Sequence, residues 1–96
     1  MDEDLKAAST YKTAGIAAFG EGESGLCTQR LFRVEPGHSA AFALEQSSLL
    51  MGCVNRLTLQ AGIEHDPKLT WAAHYLSGMA KALVEDVAHA MLDRPQ

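Results

Sequence analysis

The chain has 96 residues with eight basic and twelve acidic side chains, so it forms one small domain with a formal charge of −4. This charge argues against nucleic acid and anionic lipid as partners, because both attract basic proteins. The sequence begins with MDEDLK, which is unlike a secretory signal, and it has no apolar run long enough to cross a bilayer. We therefore predict a cytoplasmic protein without a membrane partner, in which the two cysteines are reduced.

Residues 1–25 are predicted to form a flexible acidic arm. They carry five acidic and two basic side chains and end in GEGESG. A glycine-rich run can cradle a phosphate, but no Gly-Lys-Ser/Thr follows this one, and Glu21 and Glu23 would repel an anion. The composition therefore predicts an arm over residues 1–25 and a folded domain over residues 26–96.

A short β-strand is predicted for residues 26–34, LCTQRLFRV, which are followed by the turn-forming sequence EPG. A lone strand leaves its backbone N–H and C=O groups without partners. The strand must therefore pair with residues 14–20, AGIAAFG, or with its own copy in a second chain. The sequence leaves both pairings open.

Two helices are predicted after the strand. The first runs from about residue 39 to residue 61, with Ser39 as its N-cap and Gly62 in the left-handed position beyond its end. Its apolar stripe consists of Phe42, Leu49, Leu50, Cys53, Val54, Leu57 and Ala61. The second helix begins at Asp66-Pro67 and continues to about Leu92. Its apolar stripe consists of Leu69, Ala72, Ala73, Leu76, Met79, Ala80, Leu83, Val84, Val87, Ala90 and Met91.

The linker between the helices, GIEHD, is short enough to make them antiparallel. The predicted fold is therefore mainly α: an antiparallel two-helix hairpin with a short N-terminal β-strand. We expect two such hairpins to dimerise into a four-helix arrangement, because a chain this short is marginally stable alone.

Several large side chains lie outside both apolar stripes and predict an interface. Trp71, Tyr75, Gly78 and Ala82 follow i, i+4, i+7, i+11 spacing, which places them on one further helix face with His74 at its edge. A contiguous exposed apolar patch usually marks an interface. The predicted homodimer interface consists of Leu44, Met51, Trp71, His74, Tyr75, Gly78 and Ala82. Cover by the N-terminal segment of the same chain, an unidentified protein partner and a small ligand near Trp71 remain alternatives.

No arrangement of reactive side chains indicates an enzyme, a metal site or a cofactor. Glu85 and His89 are spaced i, i+4, but neither predicted helix carries a Glu-x-x-His or His-x-x-x-His pair to supply the three or four ligands that a metal needs. The nearest charged side chains on the helix face of His74, Lys81 and Glu85, are two and three turns away, too far to form one local site with it. We therefore predict no catalytic, metal-binding or cofactor-binding residues.

A strand followed by two helices also matches the order of ribbon–helix–helix DNA-binding regulators. Gln29 and Arg33 would then read the major groove and Arg30 would contact phosphate. Both predicted helices are about twice as long as this fold uses, and the body of the chain has no positive surplus. DNA binding is therefore the alternative to the main prediction.

Three segments carry a family resemblance: LFRVEPG, ALEQSSLLMGC and WAAHYLSGMAKALVEDV. They resemble the recurring blocks of a family of short pseudomonad proteins of unknown function, over roughly residues 31–89. The resemblance implies a bacterial cytoplasmic setting but brings no activity, cofactor or catalytic residue. The predicted function is a small non-enzymatic interaction or regulatory module that acts as a homodimer.

Overall fold

The computed structural model describes residues 10–23 and 30–92 and contains two short strands followed by two long helices. The strands are β1 (Ala18–Phe19) and β2 (Phe32–Arg33), and the helices are α1 (Ala40–Glu64) and α2 (Pro67–Leu92). The helices pack extensively against each other, and β1 and β2 form a small antiparallel sheet. The predicted helical hairpin with a short N-terminal β-structure is confirmed.

The strand pairing left open by the sequence occurs within one chain. In the β1–β2 register, Ala18 lies opposite Arg33 and Phe19 opposite Phe32. The N–H of Val34 extends the pairing by donating to the carbonyl of Ala17 at 2.9 Å. The described strand is shorter than predicted, and residues 26–29 of the predicted range lie outside the described residues.

Residues 10–23, which fall in the predicted arm, belong to the folded unit. Thr13 is buried, its N–H donates to the carbonyl of His38 at 2.7 Å, and its hydroxyl donates to the carbonyl of Glu35 at 2.6 Å. The boundary predicted at residue 25 therefore separates two strands of one sheet. Composition alone suggested an arm because small residues and glycines are common in flexible segments, but here their backbone groups are used in pairing. Residues 1–9 of the predicted arm lie outside the described residues.

Local sequence signals define the starts of both helices as predicted and misplace the end of α1. The Ser39 hydroxyl accepts a hydrogen bond from the N–H of Phe42 at 3.1 Å and caps α1. Asp66 accepts one from the N–H of Lys68 at 2.9 Å, at the start of α2. The predicted end of α1 at Gly62 is wrong, because the helix continues to Glu64 and His65 takes the left-handed conformation, with φ 53°.

The seam between the helices is built mainly from small side chains. The residues of α1 that are buried or half-buried along the seam are spaced three and four apart: Ala40, Ala43, Ser47, Leu50, Val54, Leu57 and Ala61. The Ser47 hydroxyl donates to the Ala80 carbonyl of α2 at 3.0 Å. Phe42, Leu49 and Cys53, predicted in this stripe, are exposed because small residues form the closest contact between the helices. None of the described helices combines the length and apolarity that crossing a membrane requires.

Candidate functional site

A buried carboxylate holds the N-terminal segment against α2. Asp86 is fully buried, and its Oδ2 accepts hydrogen bonds from the backbone N–H groups of Ala14 at 2.6 Å and Gly15 at 3.0 Å. Its Oδ1 accepts two more, from Ile16 at 2.7 Å and Ala17 at 2.8 Å. Four consecutive N–H groups thus converge on one side chain, an arrangement that suits an anion.

The ionised form of Asp86 is the stable one in the folded chain. Burial by itself raises the pKa of this carboxyl, because a charge is costly away from water. The N–H groups of Ala17, Gly15, Ile16 and Ala14 favour the charged form more strongly, so the pKa lies below its ordinary value. Asp86 therefore acts as a charged anchor for the N-terminal segment.

We expect this anchor to weaken in acid. Because the folded pKa of Asp86 is lowered, its contribution to stability is complete above the unfolded pKa of about 3.9 and is lost as pH falls through the folded pKa. Urea unfolding measured between neutral pH and pH 3 should show a falling free energy of unfolding. In Asp86→Asn this pH dependence should be smaller, and identical pH dependence in the two proteins would contradict the assignment.

Asp86 is not among the functional residues predicted from the sequence, although its position in the sequence carries a signal of a buried role. It lies between Leu83 and Val87 in the apolar stripe of α2, where an acidic residue is unusual. A charged residue at such a position usually has buried hydrogen-bond partners. Its partners lie about 70 positions away in the chain, so their identity required the folded structure.

Two of the predicted interface residues are covered within the chain. Ala82 is buried against Ala17 and Val34, and Gly78 lies beneath Phe19, whose Cβ is 3.5 Å from the position a Cβ would take at Gly78. The alternative of intrachain cover thus applies to this half of the predicted face. The glycine lets Phe19 approach the helix closely.

The other half of that face forms an exposed aromatic surface, which we define as Phe32, Trp71, His74 and Tyr75. Phe32 lies edge-on to Tyr75 with ring centroids 6.5 Å apart, and Trp71 lies 6.2 Å from Tyr75 and 5.8 Å from His74. Trp71 is 60% exposed and Phe32 49%. The rings support one another but remain accessible to a partner.

A shallow cleft of about 290 Å³ adjoins the aromatic surface. Its lining includes His74 and charged side chains of both signs, among them Glu21, Arg30 and Lys81. Lys81 also forms an ion pair with Glu85 at 3.3 Å, which leaves Glu85 on a solvated face. Within residues 10–23 and 30–92, no three His, Cys, Asp or Glu side chains lie close enough together to hold a metal.

Leu44 and Met51 lie on a different surface, beside the seam between α1 and α2. Met51 and Val84 line a cleft of about 340 Å³. Leu44 lies seven residues before Met51 on α1, and Met91 lies seven residues after Val84 on α2. All four side chains are exposed. We call Leu44, Met51, Val84 and Met91 the helical surface. The predicted interface residues are therefore divided between the helical surface, the aromatic surface and the covered Gly78–Ala82 region.

The strand residues assigned to the DNA-binding alternative are only partly described. Arg30 and Arg33 are exposed, whereas Gln29 lies outside the described residues. β2 pairs with β1 of its own chain. The two arginines are thus accessible on the surface, but the described strand is only two residues long.

Comparison with known proteins identifies one family. The profile of a family described as "Protein of unknown function (DUF3077)" matches residues 13–90. The match confirms the prediction of a family of unknown function, and it includes residues 13–23, which pack into the fold. No curated protein and no solved structure matches the chain.

Proposed function

Because the chain belongs to the DUF3077 family, whose description assigns no role, we propose a function from its surfaces. It acts as a small non-enzymatic interaction or regulatory module in the form of a homodimer. One observation carries this proposal: small side chains fill the core while large apolar side chains remain outside. Within residues 10–23 and 30–92, fourteen large hydrophobic side chains are exposed, whereas the buried hydrophobic residues are Ala17, Val34, Ala40, Ala43, Ala73, Ala80, Ala82 and Val87.

This distribution favours association for an energetic reason. Burying one large apolar side chain contributes roughly 1.5–3 kcal/mol, whereas alanine contributes much less. A domain of 96 residues has a small stability margin, so apolar surface left in water is a substantial loss. Packing against another protein removes that surface from water, and grouped exposed apolar side chains usually mark such contacts.

A second copy is the partner that suits the architecture. Two antiparallel helices leave an open side, and two such hairpins can close their open sides in a four-helix arrangement. Two-fold homodimers are the commonest oligomers of soluble proteins. We place the protein in the cytoplasm, where the exposed thiol of Cys53 would remain reduced.

We do not extend the proposal to DNA binding. A ribbon–helix–helix regulator places paired strands from two chains in the major groove. Here β2 pairs with β1 of the same chain, and the chain carries a formal charge of −4. Sequence-specific DNA binding that persists at physiological salt would replace the proposed function with this alternative.

The proposed function predicts a dimer at moderate protein concentration. Sedimentation equilibrium over a wide concentration range should give a mass approaching twice the chain mass of 10.3 kDa. The melting temperature should rise with concentration, because association stabilises the folded state by mass action. A mass of 10.3 kDa at the highest concentration would contradict the proposed function.

A further inference from the structure

We propose that the second copy docks on the helical surface, Leu44, Met51, Val84 and Met91, and that the aromatic surface remains outside this dimer. The inference rests on the proposed function and adds the location of the interface to it. It also divides the two exposed surfaces between two roles. One makes the dimer, and the other stays available for a different contact.

The two sides of the helix seam differ in what already covers them. On one side, Thr13, Val34 and Glu35 of the N-terminal part line a cleft together with residues of both helices. On the opposite side, the cleft that contains Met51 and Val84 is lined by helix residues alone. The surface of that cleft is mostly apolar: Ser47, at its base, already donates its hydroxyl to the Ala80 carbonyl, and Lys81 and Glu85 already pair with each other.

The spacing of the apolar side chains on the uncovered side suits helix pairing. Leu44 and Met51 are seven residues apart on α1, and Val84 and Met91 are seven residues apart on α2. Seven residues are close to two helical turns, so each pair lies along one line of its helix. Ser47 and Ala80 occupy the floor between the two lines, and their small size leaves recesses for the large side chains of a second copy.

The hairpin face that carries the helical surface is, as a whole, close in area to a typical dimer interface. A helix of 25 residues is about 37 Å long, and two helices side by side are about 20 Å wide with their side chains. One face of the hairpin therefore offers about 700 Å², close to the roughly 800 Å² that each partner buries in a typical stable complex. Lys81 and Glu85 would lie at the rim, where charged groups are tolerated in interfaces.

The aromatic surface is less suited to a second copy. Its rings already pack against one another, and it borders the cleft lined by Glu21, Arg30 and Lys81. Self-association there would take the charges of Glu21 and Arg30 out of water, which is costly unless each of them gains a partner. Exposed Trp and Tyr side chains beside charged groups suit a different protein partner.

Substitutions on the two surfaces test this assignment. Met51→Glu and Val84→Glu should each weaken the dimer at least about tenfold, because each buries a carboxylate in an apolar contact where it has no partner. Both side chains are about half exposed in the single chain, so the monomer should keep its helical circular dichroism. Leu59→Glu is the matched control, since Leu59 lies on the same helix and is 68% exposed outside the helical surface. Leu59→Glu should leave the dissociation constant of the dimer unchanged.

The chain's one tryptophan gives an independent measurement. Trp71 should keep the same fluorescence maximum at concentrations that favour monomer and dimer, and Trp71→Ala should still dimerise. A blue shift on association, or loss of the dimer in Trp71→Ala, would overturn the assignment. A dimer that persists in both glutamate variants would also overturn it while leaving the proposed function intact. A wild-type monomer at every concentration would instead remove the proposed function itself.

Discussion

Replacing Asp86 by alanine should lower the free energy of unfolding by about 3–5 kcal/mol, the range found when one partner of a buried charged contact is removed. The carboxylate accepts four backbone hydrogen bonds of 2.6–3.0 Å, and alanine has no acceptor to replace it. Each buried donor left without a partner costs about 1–3 kcal/mol unless water reaches it. This loss is a large fraction of the stability of a small domain.

The loss should appear first in the N-terminal segment. Asp86 is the anchor for residues 14–17, whereas the helix seam has its own contacts, such as Ser47 with Ala80. Hydrogen exchange should therefore accelerate at the amides of residues 14–17 in Asp86→Ala before it does so along α1. Protection of these four amides that is equal to wild type would show that other contacts hold the segment.

Two further variants test whether a carboxylate is required at position 86. Asp86→Asn keeps the shape but replaces one acceptor oxygen by an NH₂ group, which faces backbone donors and cannot accept from them. Its destabilisation should be large but smaller than that of alanine, because the remaining oxygen can still accept two of the four hydrogen bonds. Glu85→Gln is the matched control, because it removes the adjacent carboxylate from an exposed ion pair with Lys81 and should change stability by about 1 kcal/mol or less.

Gly15→Ala should destabilise the chain by about 2–3 kcal/mol, from a left-handed backbone cost of about 1–2 kcal/mol together with a steric clash. Gly15 has a φ of 77°, and a Cβ there would lie 2.9 Å from both Cβ and Cδ of Pro36. Neither group can move easily, because the Gly15 N–H donates to Asp86 and the proline ring is rigid. Thermal and urea unfolding would measure the effect.

Gly37→Ala is the matched control for this substitution. Gly37 has a φ of 93°, but no atom lies within 4 Å of the position its Cβ would take. This variant therefore carries the backbone cost without the clash, and it should be less destabilising than Gly15→Ala. Equal losses would show that the contact with Pro36 is relieved by a small shift.

The helices could be predicted because their signals are local. Ser39 and the Asp66-Pro67 pair act on N–H groups within three residues, and the apolar spacing of α2 repeats over a single continuous segment. The misplaced end of α1 shows how far such signals reach. Gly62 has the conformational freedom to end a helix, yet α1 continues to Glu64. Pro67 restrains only the residue directly before it, so it does not force α1 to end as early as Gly62.

The sequence did not predict which residues form the contact between the helices, or which of the remaining apolar residues are covered by the N-terminal segment. Hydrophobicity placed Phe42 and Leu49 in the α1 stripe, yet Ala43 and Ser47 form the contact because small side chains allow the helices to approach. The spacing of Trp71 and Ala82 put them on one helix face, but Ala82 is buried by Ala17 while Trp71 is exposed. Helix periodicity gives the direction of a side chain and says nothing about which distant segment lies there.

The amino-acid pattern by itself therefore specified two capped, antiparallel helices and a short β-structure, because each depends on residues a few positions apart. Long-range packing specified the route of residues 10–23, the burial of Gly78 and Ala82, and the role of Asp86. These features depend on contacts such as that between Ala14 and Asp86, which are 72 positions apart in the chain. Backbone N–H groups look alike in every sequence, so only the folded path of the chain shows which four of them meet that carboxylate.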